Sequence, residues 1–265
     1  MSGVGVPAPE YPPAHGLLAG KVVVVTAAAG TGIGFATAKR AAEEGATVVV
    51  SDHHERRLGE AAERLTAVTA GGSKPLAVVC DVTNEDHVQG LVDAAVAEHG
   101  RIDVMVNNAG LGGTANLVDM TDEQWNVVLD VTLNGTFRCT RAALRHMCPR
   151  GSGVIVNNAS VLGWRAQPGQ AHYAAAKAGV MALTRCAAME GAEFGVRVNA
   201  VSPSLAMHQF LAKTTSDELL EELTKREAFG RAAEPWEIAT VITFLASDYS
   251  TYMTGEIVSV SNQHP

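Results

Sequence analysis

The chain has 265 residues, of which 47% are hydrophobic and 18% are charged, and its formal net charge is −8. This length and composition fit one globular domain of the larger single-core kind. The acidic balance argues against a nucleic-acid partner, because a surface that neutralises phosphates needs clustered lysine and arginine.

Residues 1–16 are rich in proline and lack the basic start and apolar run of a secretory signal. They predict a disordered N-terminal tail ahead of the folded domain. The rest of the chain does not approach eighteen consecutive apolar residues, so no membrane span is expected. The cysteines show no Cys-x-x-Cys spacing, which predicts reduced core residues in a cytoplasmic protein and no metal site.

Short apolar runs alternate with helical segments over residues 17–265. Predicted strands cover residues 21–26, 47–51, 76–80, 104–107, 153–157, 196–201 and 256–260. Predicted helices cover residues 35–44, 54–70, 85–99, 121–147, 173–193 and 235–247. This alternation predicts an α/β fold in a single domain, with a doubly wound parallel sheet that has helices on both faces.

One polar segment, at about residues 204–230, departs from this alternation after the sixth predicted strand. Segments of this kind often form lids over a binding site. We expect a lid-like segment here, with a plain surface excursion as the alternative.

A glycine-rich turn joins the first predicted strand to the first predicted helix, and it contains Gly30, Gly32, Ile33 and Gly34. In such a turn the backbone amides of the helix N-terminus face a pyrophosphate, so the pattern predicts a Rossmann-type dinucleotide site. Asp52 follows the second strand, where a carboxylate binds both ribose hydroxyls of NAD and repels the 2′-phosphate of NADP. We therefore expect NAD as the cofactor, with NADP less favoured.

Other strand ends bring small and polar residues to the same edge of the sheet, where parallel strands form a binding crevice. Asp81 is the candidate partner of the adenine amino group, and Asn107 supports the adenosine ribose and the sheet edge. Turn chemistry alone is the alternative for each of these residues. The further cofactor contacts predicted on this basis are Thr26, Asp81, Val82, Asn108, Ala109, Gly110 and Pro203.

Three side chains predict proton-transfer chemistry. Tyr173 and Lys177 are four residues apart on a predicted helix, so they share one helix face. A free tyrosine has a pKa near 10, and a nearby lysine charge lowers it towards the range of a base at neutral pH. We predict that Tyr173 is the catalytic base, that Lys177 positions it and holds the nicotinamide ribose, and that Ser160 binds the same substrate oxygen.

The spacing of Tyr173 and Lys177, with Ser160 thirteen residues upstream, resembles the classical short-chain dehydrogenase/reductase family. The sequence NNAG at residues 107–110 carries the same resemblance, which covers about residues 17–260. It implies an NAD-dependent oxidoreductase that interconverts a secondary alcohol and a ketone of a small-molecule substrate. It also implies a homo-oligomer, either a tetramer or a dimer.

The chain departs from the family pattern in its glycine-rich turn, in its fourth predicted helix and in its lid-like segment. The family's first glycine falls on Ala28, unless Thr26 begins the motif with one residue inserted. Thr132 stands where the family has an asparagine linked to a water relay, and the nearby Asn134 points to a different helix face. The sequence leaves open whether either residue compensates. His208 replaces the family's carboxamide-binding threonine, and it is either a substitute or a solvated lid residue.

Residues between the catalytic serine and tyrosine border the substrate pocket in this family. Here they include Leu162, Trp164 and Arg165, and His208 joins them from the lid-like segment. They predict a bulky hydrophobic, alicyclic secondary alcohol with an anionic handle such as a carboxylate or a CoA thioester. The loop sequences TAAAGTGIG and SPSLAMH also resemble actinobacterial enzymes of sterol-ring degradation, which implies a steroid-derived ring compound.

Other interpretations remain compatible with the sequence. A dehydratase or epimerase would use the same tyrosine with a tightly held NAD and show no net change in the cofactor. A sensory protein would bind the nucleotide with little turnover. In the pocket, Trp164 packing between subunits and a solvated Arg165 are the alternatives to substrate contact.

Overall fold

The computed structural model describes residues 6–207 and 217–262. Within them, seven parallel strands form one sheet in the order β3-β2-β1-β4-β5-β6-β7. The strands are β1 (Val22–Val25), β2 (Thr47–Asp52), β3 (Leu76–Val79), β4 (Val104–Asn107), β5 (Gly153–Asn158), β6 (Val196–Pro203) and β7 (Ile257–Val260). The helices are α1 (Ile33–Glu43), α2 (Glu55–Thr66), α3 (Glu85–His99), α4 (Asp122–Leu129), α5 (Gly135–Met147), α6 (Ala171–Ala192), α7 (Asp217–Lys225) and α8 (Pro235–Ala246).

The order of the strands creates a crevice between β1 and β4. Val24 of β1 is aligned with Val49 of β2 on one side and with Met105 of β4 on the other. The winding of the chain reverses at this junction, so a crevice opens beyond the carboxyl ends of the two strands. Valine-rich strands buried on both faces suit such a parallel sheet. The predicted fold class, a doubly wound parallel sheet with helices on both faces, is confirmed.

Two separate apolar cores attach the helices to the faces of the sheet. One core joins α1, α2 and α8 to the sheet and includes Phe35, Leu65 and Ile242. The other joins α3, α5 and α6 and includes Leu91 and Met147. Both faces of the sheet are therefore shielded from water by apolar side chains. The polar side chains of the crevice lie at the strand ends.

The largest difference from the predicted elements lies in the helix expected over residues 121–147. The Thr121 side chain caps its start in a reciprocal arrangement with Gln124, and a π-helical turn, Asp130–Asn134, separates α4 from α5. A π-helical turn carries an extra residue, and such turns are frequent at functional sites. Elsewhere the boundaries move by a few residues, and β6 extends as far as Pro203.

Residues 6–16 have no helix or strand, yet they pack against the domain. The Tyr11 ring lies edge-on to the Trp236 ring of α8, with 5.4 Å between ring centroids. The Lys39 ammonium lies 4.3 Å from the centre of the Tyr11 ring. The expected disordered N-terminal tail is corrected for this part, because an aromatic ring and a cation give it fixed partners. Residues 1–5 of that tail lie outside the described residues.

A buried ion pair holds the end of this segment on α1. Arg40 Nη2 lies 2.5 Å from Glu44 Oε1, and both side chains are almost wholly shielded from solvent. Arg40 also donates to two proline carbonyls of the segment, at 2.6 and 2.9 Å. The other oxygen of Glu44 accepts from the backbone N–H groups of His15 and Leu17, each at 2.9 Å. Burial alone would raise the pKa of Glu44, but these hydrogen bonds and Arg40 lower it.

The lid-like segment expected over residues 204–230 is described only in part. At its base, the Glu227 carboxylate accepts a hydrogen bond from Ser204 Oγ at 3.1 Å. Residues 208–216 lie outside the described residues, and His208 is among them. The lid and the role of His208 therefore stay predictions.

Across residues 6–207 and 217–262, no helix is both long and apolar enough to span a membrane. The same residues contain no group of three or more His, Cys, Asp or Glu side chains arranged to hold a metal ion. The four cysteines are unpaired thiols, and burial raises the pKa of Cys80 to about 12. A thiol with so high a pKa is unreactive at neutral pH.

Candidate active site

The glycine-rich loop borders the crevice beside β1 and β4. The Thr26 hydroxyl accepts hydrogen bonds from the backbone N–H groups of Asn108 at 3.0 Å and Ala109 at 3.1 Å. The next residue, Ala27, has a φ of 51°, in the left-handed region that glycine normally occupies. Thr26 therefore begins the loop and Ala27 takes the glycine conformation, so the alternative with one residue inserted fits better than the alignment on Ala28.

The start of α1 presents backbone N–H groups, and no capping side chain, to the crevice. A Cβ at Gly34 would overlap the carbonyl oxygen of Ala27 and the side-chain amide of Asn108, so the helix can lie this close only with glycine there. The first turn, Ile33 onwards, carries no acidic side chain and no side-chain cap. It offers N–H groups and the positive end of the helix dipole, which fit a pyrophosphate. The loop residues predicted for this role lie together here: Gly30, Gly32, Ile33 and Gly34.

Asp52 ends β2 beside the same loop. Its carboxylate accepts from Ala29 N at 3.2 Å and from His54 N at 3.0 Å, and His53 Nδ1 lies 3.4 Å from Oδ1. The loop and the strand end are thus held against each other through this carboxylate. An anion at the rim of the crevice fits the ribose hydroxyls of a dinucleotide.

Asp81 and Val82 follow β3, one strand further from the centre of the sheet. The Asp81 carboxylate accepts from Thr83 N at 2.9 Å and from Thr83 Oγ1 at 2.8 Å. Burial alone would raise the pKa of Asp81, but these hydrogen bonds outweigh it and lower the pKa. Val82 is buried against Gly135 at the start of α5. Asp81 therefore remains an anion that suits an adenine amino group.

A cation that the sequence analysis does not predict lies beside the glycine-rich loop. The Arg64 guanidinium of α2 lies 3.9 Å from the centre of the Phe35 ring and donates to the carbonyl oxygen of Gly30 at 3.5 Å. Its position depends on the packing of α2 against α1, for which the local sequence gives no signal. It adds a positive charge near the site where Asp52 supplies a negative one.

Ser160, Tyr173 and Lys177 lie together beyond the end of β5. Ser160 Oγ accepts from Leu162 N at 3.2 Å, and a hydrogen bond from Ser160 reaches the Tyr173 phenol in the first turn of α6. Lys177 Nζ lies 5.5 Å from the centre of the Tyr173 ring and donates to the carbonyl oxygen of Asn158 at 2.5 Å. The structure thus brings the three predicted catalytic side chains into one group.

Burial governs the proton affinities of this group. It raises the pKa of Tyr173, and the hydrogen bond from Ser160 offsets only part of that rise. It lowers the pKa of Lys177 to about 8. In the protein chain by itself, desolvation of the phenol therefore outweighs the hydrogen bond from Ser160, and the lowering predicted from Lys177 and the bound nicotinamide stays a prediction.

A row of four buried side chains, Thr140, Asn107, Asn157 and Thr184, crosses from α5 to α6. Asn107 Nδ2 donates to Thr140 Oγ1 at 3.0 Å and to Asn157 Oδ1 at 2.8 Å. Asn157 Nδ2 donates to Thr184 Oγ1 at 2.9 Å. This Asn–Thr row fixes α6, the helix of the catalytic tyrosine, to β5 and β4. Of these four residues, only Asn107 is predicted from the sequence, where the signal for the row is an asparagine at the ends of both strands.

Thr132 lies in the π-helical turn and faces the residue after the NNAG sequence. Its Oγ1 accepts from Leu111 N at 3.0 Å and donates to Leu111 O at 3.1 Å. The Asn134 amide instead donates to the Asp130 carboxylate at 3.1 Å. Of the two residues left open by the sequence, Thr132 therefore takes the inner position.

The predicted pocket residues lie in the loop that precedes α6. Leu162 is half-buried in a short turn, and Trp164 is 51% exposed. Arg165 lines a surface cavity of about 460 Å³ that Leu117 and Pro168 also border. The cavity thus combines apolar walls with one guanidinium.

Comparison with known proteins agrees with this geometry. The family model described as Enoyl-(Acyl carrier protein) reductase matches residues 27–262. The chain is 66% identical to a (5R,7aS)-5-hydroxy-7a-methyl-1-oxo-2,3,5,6,7,7a-hexahydro-1H-indene-carboxyl-CoA reductase of Mycobacterium tuberculosis, over 97% of this chain and 98% of that protein. It is 43% identical to a cis-4-hydroxycyclohexanecarboxylate dehydrogenase of Sinomonas cyclohexanicum, over 91% of this chain and 94% of that protein.

The fold has a matching relative among solved structures. A short chain dehydrogenase from Mycobacterium smegmatis superimposes with a TM-score of 0.86 at 60% identity, covering 98% of this chain and 99% of that one. The family model spans the loop, the catalytic group and the last strand. The chain therefore belongs to the classical short-chain dehydrogenase/reductase family, whose members are oxidoreductases that use nicotinamide cofactors.

Proposed function

We propose that this protein is an NAD(H)-dependent oxidoreductase that interconverts a secondary alcohol and a ketone on a bulky ring compound. The observation that carries the proposal is the group of Ser160, Tyr173 and Lys177, in which the Ser160 hydroxyl donates to the Tyr173 phenol beside a buried ammonium. One substrate oxygen can reach both hydroxyls. That is the requirement for moving a proton to or from a single carbinol or carbonyl oxygen.

Each residue of this group has a distinct task in the proposed reaction. The bound nicotinamide supplies or accepts the hydride. Tyr173 takes the proton of the substrate hydroxyl in oxidation and returns it to the carbonyl oxygen in reduction. Ser160 turns its hydroxyl hydrogen from the phenol to the same substrate oxygen and holds that oxygen beside Tyr173. Lys177 supplies positive charge at neutral pH and loses it as the pH rises through its pKa of about 8.

Two relatives support a ring substrate that carries a carboxyl group or its thioester. Both of their names contain a hydroxylated ring together with a carboxylate or a carboxyl-CoA group. On this chain, we propose that the apolar wall formed by Leu162 and Trp164 receives the ring and that Arg165 contacts the anionic handle. A steroid-derived ring attached to CoA fits this combination. We propose His208 as a further pocket residue.

A turnover screen with a defined set of compounds tests the proposed function. We expect alicyclic hydroxy or keto CoA thioesters to be better substrates than the free acids, and both to be better than short aliphatic alcohols. Each compound is incubated with NAD(H) and with NADP(H) while nicotinamide absorbance and product are followed. Product without net change in the cofactor would support a dehydratase or epimerase instead, and nucleotide binding without product would support a sensory protein.

The cofactor preference depends on two opposite charges. Asp52 favours NAD, because its carboxylate accepts from ribose hydroxyls and repels a 2′-phosphate, whereas Arg64 places a cation at the same loop. We propose that Asp52 dominates, because it is buried at the strand end and Arg64 is exposed. The remaining cofactor contacts in this proposal are Thr26, Gly30, Gly32, Ile33, Gly34, Asp81, Val82, Asn108, Ala109, Gly110, Tyr173, Lys177 and Pro203.

Asp52→Asn is expected to lower kcat/KM for NAD by roughly 10- to 100-fold and to raise the relative use of NADP, because hydrogen bonds to a charged group contribute about 1.5–3 kcal/mol. Steady-state kinetics with each cofactor measures the ratio. Asp86→Asn, at an exposed acid in the first turn of α3, is the matched control and should leave the ratio unchanged. A wild-type preference for NADP would contradict the assignment of Asp52.

We further propose a cytoplasmic homo-oligomer, either a tetramer or a dimer. Its support is a set of apolar side chains that α4, α5 and α6 leave exposed: Val127, Phe137 and Met189. We propose that these side chains contribute to one contact surface between protomers, because contiguous exposed apolar area marks such surfaces. Light scattering of the purified protein gives the mass that tests this proposal, and a monomer at micromolar concentration would contradict it.

A further inference from the structure

The Thr132 hydroxyl holds both backbone polar groups of Leu111. It accepts the Leu111 N–H at 3.0 Å and donates to the Leu111 carbonyl at 3.1 Å. The side chain is fully buried, so no water competes for these bonds. A hydroxyl can donate once and accept twice, and here one residue takes up both functions. This arrangement fixes the backbone of Leu111 in position and in orientation.

Leu111 lies between two glycines that pack directly on the catalytic group. A Cβ on Gly110 would lie 3.5 Å from Lys177 Nζ and 3.8 Å from Thr132 Oγ1. A Cβ on Gly112 would lie 3.8 Å from Cδ2 of the Tyr173 ring. A shift of this short segment would therefore change the surroundings of the ammonium and of the phenol together.

The π-helical turn presents the hydroxyl at this point. The turn closes with the backbone N–H of Gly135 on the carbonyl oxygen of Asp130, and Thr136 Oγ1 donates to the carbonyl oxygen of Thr132 at 2.7 Å. Asn134 binds the Asp130 side chain and does not share the task. Thr132 is thus itself held in place by its own helix.

We propose that Thr132 is a positioning residue, which acts through Leu111 to hold the segment from Gly110 to Gly112 against Lys177 and Tyr173. The inference rests on the proposed proton-transfer role of these two side chains. It concerns the hydroxyl alone, because the methyl group of threonine makes neither of the hydrogen bonds to Leu111.

Thr132→Val removes the hydroxyl at nearly constant volume, and Thr132→Ser keeps it. We expect the valine variant to lower kcat by about 10- to 100-fold, because a small misplacement of catalytic groups has effects of this size. Its pH–rate profile should shift, since the surroundings of Lys177 change, while KM for the substrate changes little. The serine variant should stay within about threefold of wild type and keep its profile. Thr243→Val is the matched control, because Thr243 is buried and its hydroxyl has no hydrogen-bond partner among the described residues.

A second measurement does not depend on turnover. Nitrogen-15 labelling of lysine allows the Lys177 ammonium to be titrated by NMR, starting from its pKa of about 8. The valine variant should move this titration and the serine variant should not. If Thr132→Val does not fold, Thr132→Ala takes its place with the same expectations.

A valine variant that is less stable but has unchanged kcat, pH profile and lysine titration would overturn the proposal. A serine variant as impaired as the valine variant would also overturn it, because the hydroxyl would then not be the operative group. Absence of turnover in the wild-type protein would instead contradict the proposed function, and the lysine titration would still test the role of Thr132.

Discussion

Replacement of Tyr173 by phenylalanine is expected to lower kcat by about 10³-fold, because general acid–base catalysis contributes 10²–10⁴-fold in enzymes. The variant keeps the ring, which packs beside Gly112 and the Lys177 ammonium, and loses only the hydroxyl that exchanges a proton with the substrate. The loss should therefore appear in kcat, while the dissociation constant for NAD changes by less than about threefold, equivalent to roughly 0.7 kcal/mol. Stopped-flow or steady-state absorbance gives the first value, and cofactor fluorescence gives the second.

A matched variant separates this effect from the general loss of a tyrosine hydroxyl. Tyr252 is fully exposed in a turn between α8 and β7, so Tyr252→Phe should behave as wild type in both measurements. Turnover of Tyr173→Phe close to the wild-type rate would remove Tyr173 from its proposed role. Lost cofactor binding together with lost turnover would point to a structural defect instead.

Arg40→Met is expected to lower the free energy of unfolding by about 3–5 kcal/mol, the range found when one partner of a buried ion pair is removed. The Glu44 carboxylate would remain in the interior with two backbone N–H groups as its only described partners, and the proline carbonyls of residues 6–16 would lose their donor. Urea unfolding followed by circular dichroism measures the change.

The same helical spacing at the surface supplies the control. Arg56 and Glu60 are also four residues apart, but both side chains are largely exposed. Such pairs contribute about 0–1 kcal/mol, so Arg56→Met should change stability little. Equal losses in the two variants would contradict a special role for the buried pair.

The buried pair also predicts a dependence of stability on pH. The folded-state pKa of Glu44 lies below its ordinary value of 4.5, so its contribution is fully present above that value and is lost as the pH falls through the lower, folded pKa. Arg40→Met should flatten this part of the stability curve, because the folded pKa of Glu44 moves back towards its ordinary value.

The alternation of strands and helices could be predicted because valine-rich runs and helix periodicity are local signals. The same holds for Tyr173, Lys177 and Ser160, whose spacing along the chain places them on one helix turn and at one strand end. The glycine-rich turn is also local, and its unusual start at Thr26 becomes clear only from the hydrogen bonds that its hydroxyl accepts from the two residues after β4.

Other features depend on contacts between distant parts of the chain, which a local pattern does not contain. The pKa of Tyr173 was expected to fall, but in the protein chain by itself burial of the phenol raises it. Arg64 lies beside the glycine-rich loop because α2 packs against α1, where its guanidinium contacts the Phe35 ring. The position of Tyr11 depends on its contact with the Trp236 ring of α8. The π-helical turn was missed because residues 121–147 were predicted as one continuous helix, and the extra residue near Thr132 has no local sequence signal.

The contacts of residues 6–16 also constrain how the chain folds during synthesis. Residues 6–16 are made before the sheet, whereas Trp236, the partner of Tyr11, is made only after six of the seven strands. The contacts of this segment with Arg40 at α1 can form early, but the contact with Trp236 must wait for α8, and a proline-rich stretch suits that delay because it forms no competing helix or strand. Docking of the Tyr11 ring on α8 is thus expected as a late step of folding, which joins the N-terminal segment to a second helix on that face of the sheet.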